Sequence, residues 1–238
     1  MTLRLLIQAF TKFFLGLALV CVLLFVPAGT WAYWQGWLFI GILFVPMLVA
    51  GIILIFRNPE LLRKRLEAKE EQRDQKWVVT LSGLLFIGMF VLAGLNRRFL
   101  WCMLPNWLVC VAAVLFLLGY VLYAEVMREN VWLSRTIEVQ EQQKVVDTGL
   151  YGVVRHPMYA ATLVLFLTMP LVLASPWSFL LMLLYIPLIA LRIRNEEAVL
   201  EQGLDGYKEY KKRVKYKVIP KLFVWATAIG MVGLYTVC

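Results

Sequence analysis

Apolar runs of about 20 residues, the length a helix needs to cross the ~30 Å hydrocarbon core of a bilayer, recur along this chain. They fall near 13–28, 36–56, 77–95, 107–127, 159–174 and 176–191. Composition points the same way: 62% of the 238 residues are hydrophobic and 16% charged, whereas a soluble domain carries roughly a quarter charged residues. The expected fold is an all-α integral membrane protein of about six transmembrane helices arranged in hairpins. The first run is not read as a removable signal peptide, because Pro27-Ala28-Gly29-Thr30-Trp31 leads directly into another apolar run rather than into a soluble region.

A formal charge of +9 raises nucleic acid as a partner, but the placement of the charge argues against it. Of the 24 Lys and Arg, all but Arg97 and Arg98 fall in the N-terminal tail, in 57–76, in 128–155 or in 192–221. This is the positive-inside bias, and it predicts a multi-pass protein with its N-terminus and both long polar blocks on the cytoplasmic side. Cys21 and Cys110 lie within apolar runs, Cys102 in a short loop and Cys238 at the terminus, without metal-ligand spacing. With a single histidine as well, no metal site is expected.

Two regions are expected. Residues 1–76 form a hairpin, its outer turn ringed by Trp31, Tyr33, Trp34 and Trp37, followed by the charged segment 60–76, read as an interfacial amphipathic helix and a polar loop. A disordered linker is the competing reading of that segment. Residues 77–238 hold two further hairpins, the polar stretch 128–158 and the C-terminal segment 192–221. Polar loops as long as 128–158 are uncommon unless functional or disordered, and this one carries Val, Ile, Trp and Tyr that favour burial; an ordered, functional loop is expected. The tail 222–238 is at the lower limit for crossing, and both a span and an interfacial helix fit it.

Three stretches carry candidate chemistry. In Tyr151-Gly152-Val153-Val154-Arg155-His156-Pro157-Met158-Tyr159, Pro157 suits the first turn of a helix and sets His156 near an N-terminus whose partial charge favours an anion. Snorkelling of Arg155 and His156 to headgroups is the competing reading. In Arg192-Ile193-Arg194-Asn195-Glu196-Glu197, Arg192 and Glu196 lie one turn apart, while Glu196 and Glu197 point about 100° apart and cannot face one pocket equally. Ordinary intrahelical ion pairs are the alternative there. The third stretch, Tyr207 to Pro220, reads mainly as a basic surface for anionic headgroups.

Together, QEQQKVVDTGLYGVVRHPMY, RIRNEEAVLE and GYKEYKKRVKYKVIP, in that order around one helical hairpin, resemble the isoprenylcysteine carboxyl methyltransferase family, within the membrane methyltransferases that include phospholipid methyltransferases. The resemblance covers about 130–220 and extends loosely over MRENVWLSRT and NPELL, as in longer prokaryotic-type members. It implies S-adenosyl-L-methionine as cofactor, held between the two polar blocks, and a lipidic or prenylated substrate entering laterally from the bilayer. By position, it implies a cofactor pocket of Gln140, Val145, Val146, Tyr151, Arg155, His156 and Tyr159. Glu197 would hold the cofactor's amino group, and Arg192 would be the catalytic or acceptor-orienting residue. Three positions depart from the family's usual pattern: Gln143, Leu150 and Ala161 stand where His, Pro and Gly are common.

The chemistry is consistent with that assignment. The cofactor's amine calls for a carboxylate and its carboxylate for cations or N–H donors, and the chain supplies both. A carboxylate acceptor is ionised at neutral pH, with a reference pKa near ~3.3–4.3, and needs no general base. An Arg would orient it through a bidentate fork. The expected activity is therefore methyl transfer to the carboxylate of a prenylated cysteine or similar lipid-linked acid. Alternatives are a phospholipid-type N-methyltransferase, which would need His156 or a Glu as base, an NADPH-dependent membrane reductase of the sterol-reductase type, and a non-enzymatic scaffold.

Overall fold

The computed structural model describes residues 3–57, 59, 62, 63, 66, 73–133, 139, 140 and 142–220. Among these the chain is helical, without strands: α1 (Leu3–Ala28), α2 (Trp34–Arg57), α3 (Arg73–Phe99), α4 (Asn106–Glu129), a 3-10 turn (Gly149–Gly152), α5 (Pro157–Val172), α6 (Pro176–Met182), α7 (Tyr185–Gly203) and α8 (Tyr207–Arg213). Leu5–Ala28, Trp34–Arg57, Lys76–Phe99, Asn106–Glu129 and the broken rod Pro176–Gly203 are long and apolar enough to cross a membrane. The expected span at 159–174 is shorter than a crossing requires: α5 has 16 residues, about 24 Å of helix against a core of ~30 Å. The tail 222–238 and most of the charged segment 60–76 lie outside the described residues. Two leucines of that segment, Leu62 and Leu66, pack with Leu5 and Ile55.

Helix ends follow local chemistry. Pro157 opens α5 and Pro176 opens α6, because a missing N–H in the first turn leaves no bond unmade. Ser175 caps α6 by accepting from the Ser178 N–H at 3.3 Å. The bundle centres on a core of Phe39, Met89, Phe90, Phe116, Met169 and Met182. At the end away from the polar blocks, the connections are tied by buried polar groups. Tyr33 donates to the Leu173 carbonyl at 2.6 Å, and Asn96 donates to the Cys102 carbonyl at 2.8 Å while accepting from the Cys102 N–H at 3.3 Å.

Helices α1 and α3 approach closely at Gly94, where an added Cβ would lie 2.5 Å from the Leu24 carbonyl and 2.9 Å from Pro27. Neither is a flexible side-chain tip. Gly94→Ala is therefore expected to separate the two helices and lower stability by about 1–3 kcal/mol, read as a lower unfolding midpoint in detergent.

Candidate active site

The two polar blocks meet at one end of the bundle. The N–H groups of Arg155 and His156 donate to the carbonyls of Tyr216 and Lys217 at 2.9 and 2.8 Å, so a short extended segment preceding α5 lies against the chain that follows α8. The Arg155 side chain completes the joint: Nε donates to Glu197 Oε1 at 2.8 Å, and Nη1 to the carbonyls of Val214 and Lys215 at 2.7 and 3.0 Å. His156 Nε2 is 3.2 Å from the same Glu197 oxygen. Lys211 and Lys217 stand 3.5 and 3.3 Å from the other. Arg155, His156 and Glu197 are all buried; such a charge cluster is tolerated because each charge has a partner.

Above this joint, the 3-10 turn is anchored to the end of α4. Gly149 has φ +51°, and a Cβ there would fall on the Glu129 carboxylate, which accepts from the Leu150 N–H at 2.9 Å. The turn presents Tyr151. Its hydroxyl accepts from Asn130 Nδ2 at 2.9 Å and its carbonyl from the Tyr210 hydroxyl at 2.8 Å. Burial pushes the Tyr151 phenol up to about 12 and raises those of Tyr207 and Tyr210 further, so all three remain neutral hydroxyls at physiological pH.

A cavity of about 480 Å³ opens between these elements, within the roughly 300–1,000 Å³ that small-molecule and cofactor sites occupy. Its upper part is walled by Asn130, Trp132, Gln143, Lys144, Val145, Val146, Tyr151, Leu204, Tyr207 and Tyr210. Its lower part runs among the helices, past Val78, Val79 and Ser82 of α3, Tyr120 and Tyr123 of α4, Leu165 and Phe166 of α5, and Tyr185 and Ile189 of α7. At the level between the two, Tyr159 donates to Glu196 Oε2 at 2.5 Å and accepts from Arg192 Nε at 3.0 Å. His156 Nδ1 lies 3.8 Å from Glu196 Oε1. A cation, a phenol and a carboxylate thus form one hydrogen-bonded row on the cavity wall.

Of the residues singled out from sequence, Val145, Val146, Tyr151, Arg155, His156, Tyr159 and Arg192 line the cavity. Gln140 and Glu197 are not among the lining residues. Gln140 instead donates to the Trp132 carbonyl at 2.7 Å, and its N–H donates to Gln143 Oε1 at 2.8 Å, so it shapes the loop that supplies Trp132 and Gln143. Glu197 is turned toward Arg155 and His156, and Glu196 takes the cavity face, as the ~100° between consecutive helical residues requires. The cavity stripe on α7 is Tyr185, Ile189, Arg192, Glu196 and Leu200. Their i, i+3/i+4 spacing was present in the sequence and selects Glu196 over Glu197. Tyr207 and Tyr210, treated as part of a basic surface, are buried with Leu204 and Val214. Their i, i+3 spacing was the available signal.

Residues 107–205, from α4 to the end of α7, match the family model described as phospholipid methyltransferase. Among solved structures, the eukaryotic intramembrane Ras methyltransferase ICMT (isoprenylcysteine carboxyl methyltransferase) is similar, with a TM-score of 0.51 and 20% sequence identity, covering 87% of this chain and 74% of that one. Over 107–205 the chain is thus similar to the phospholipid methyltransferases, and its fold is similar to that of ICMT. A search of curated proteins by sequence found no match. Five helices among the described residues, each long and apolar enough to cross a membrane, accompany the match over 107–205. The matched segment contains the Tyr159, Arg192 and Glu196 row together with the Arg155, His156 and Glu197 joint, while Tyr207 and Tyr210 lie beyond it. Among the described residues there is no group of His, Cys, Asp and Glu able to hold a metal.

Proposed function

We propose that this protein uses S-adenosyl-L-methionine to methylate the carboxylate of a prenylated cysteine or similar lipid-linked acid, with its active site on the cytoplasmic side of the membrane. The observation that carries this reading is the shape of the cavity: it joins a polar, tyrosine-rich upper chamber to a largely apolar lower arm, with Arg192, Tyr159 and Glu196 between them. When bound, S-adenosylmethionine supplies a methyl group activated by its sulfonium. The donor set suits it. Glu196 offers a carboxylate for the amine, Lys144 and His156 offer cationic or N–H partners for the carboxylate, and Trp132, Tyr151, Tyr207 and Tyr210 offer flat faces for the base. Val145 and Val146 fill the wall between them. Gln140 and Glu197 act from behind, by fixing the Trp132–Gln143 loop and the Arg155–His156 pair.

The acceptor side follows from Arg192. Its guanidinium is held by Tyr159 at the top of the apolar arm, where it can bind an acceptor carboxylate and aim one oxygen at the methyl group. No proton has to leave that oxygen, so the work of these residues is alignment and exclusion of water. The apolar remainder of the acceptor reaches the arm between α3 and α4, which flank it without extensive packing on each other.

A phospholipid-type amine acceptor is the second reading, favoured by the family model over 107–205; Glu196 or His156 would then have to take the amine's proton. Labelled S-adenosylmethionine supplied to purified protein in native lipid separates the two. We expect label in a product that base releases, as an ester does. Base-stable label would assign an amine. Binding of NADPH with no binding of S-adenosylmethionine would overturn both readings. Tyr159→Phe is expected to leave folding intact and lower kcat about 10- to 100-fold, because Arg192 and Glu196 lose the hydroxyl that registers them and small misplacements carry penalties of that order.

A further inference from the structure

The apolar arm has a floor. On each of the four helices that wall it, the lining ends short of the bundle core. Its deepest members are Ser82 on α3, Tyr120 on α4, Phe166 on α5 and Tyr185 on α7. One turn below Ser82, Phe86 meets Phe166 edge-on with ring centroids 4.6 Å apart. Tyr185 closes the group, at 5.1 Å from Phe166 and 5.9 Å from Phe86. Beneath this layer lies close-packed core: Phe39, Phe116, Met89 and Met182 are each 0% exposed. The three rings therefore form a floor over solid protein, at the foot of an arm walled by Val78, Val79, Leu165 and Ile189 together with Ser82, Tyr120 and Tyr123.

We infer that the Phe86, Phe166 and Tyr185 rings form a ruler that selects acceptors by the length of their apolar tail. This rests on the proposed function, since it takes the occupant of the arm to be the isoprenoid tail of the acceptor. Continuity supports that choice of occupant: Arg192, which would hold the carboxylate, lines the same cavity as Ile189 and Tyr185, one and two turns earlier in α7. Tyr185 precedes Arg192 by seven residues, about 10 Å along the helix axis at ~1.5 Å per residue. A short tail fits in that depth. A longer one must bend, or leave sideways between α3 and α4. Phe166 contributes the largest removable part of the floor, because Phe86 behind it does not line the cavity.

The test compares N-acetyl-S-geranyl-, S-farnesyl- and S-geranylgeranyl-cysteine as acceptors, reading kcat/KM with wild type, Phe166→Ala and Phe166→Trp in the same lipid. Phe166→Ala deepens the arm and is expected to raise the ratio of long-tail to short-tail kcat/KM at least fivefold; Phe166→Trp makes it shallower and lowers the ratio. Mere loss of stability would lower every acceptor alike and could not move the ratio in opposite directions in the two variants. An unchanged ratio in both would overturn the ruler and mean that tails leave between α3 and α4. The same series is run as competitors of a fluorescent farnesylcysteine analogue, so the tail-length profile is read from binding too. Absence of methyl transfer from every acceptor defeats the proposed activity alone, whereas a binding profile indifferent to Phe166 defeats the ruler alone.

Discussion

Glu197→Ala is expected to destabilise the protein by about 3–5 kcal/mol, the cost of removing one partner from a buried ion pair, and to abolish activity with it. The carboxylate is 4% exposed and Arg155 6%. Once it is gone, the guanidinium keeps its two carbonyl acceptors but retains an uncompensated charge in a place water does not reach. His156 loses its Nε2 partner in the same step. Because Arg155 and His156 also pair through their backbone with Tyr216 and Lys217, the segment after α8 should loosen from the start of α5. Limited proteolysis after α8, together with the unfolding midpoint in detergent, reads both effects. Glu197→Gln preserves shape and one acceptor oxygen, and should recover part of the loss. A Glu197→Ala protein that unfolds like wild type yet no longer binds S-adenosylmethionine would assign Glu197 to direct ligand contact instead of to the joint.

Arg192→Lys should have the opposite profile, with a large loss of rate and little loss of stability. Arg192 lies on the cavity wall, its Nε donating to Tyr159. A lysine keeps the charge but not the planar fork that can grip both oxygens of a carboxylate. Loss of one oriented donor in an active site lowers kcat by about 10²–10³-fold, and that is the decrease expected for methyl transfer to a prenylated acid. Binding of S-adenosylmethionine should stay within a few-fold of wild type. The measurement is single-turnover transfer alongside an equilibrium titration of the cofactor. If cofactor affinity falls as far as the rate does, Arg192 belongs to the cofactor's subsite, and the acceptor must be oriented by other residues.

The positions of the long apolar helices were legible because their cause is one-dimensional. A helix in hydrocarbon must be apolar over its whole length, so runs such as 36–56 and 107–127 announce themselves, and Pro157 and Ser175-Pro176 mark helix starts by local backbone chemistry. The length of α5 was less legible. An apolar run at 159–174 looks like any other, but the helix stops at Val172 because Leu173 and Ala174 are taken into the turn beneath α6, where their carbonyls serve Tyr33 and Leu104. Tyr33 is 140 residues away from its partner, and no local pattern reports such a bond.

The site divides in the same way. The chain by itself determined which segments carry polar chemistry and that consecutive glutamates on one helix must face different ways. It also held Arg192 and Glu196 on one helical stripe with Tyr185 and Ile189. Only the tertiary structure decided that Glu196 faces the cavity while Glu197 is consumed by Arg155 and His156, and that Tyr159 stands between Arg192 and Glu196. It alone brought the Tyr207 and Tyr210 rings over the chamber and the Phe86, Phe166 and Tyr185 rings beneath it. The reason is physical: helix periodicity fixes the angle between neighbouring side chains, but which of those directions meets a partner depends on helices brought together from distant parts of the chain.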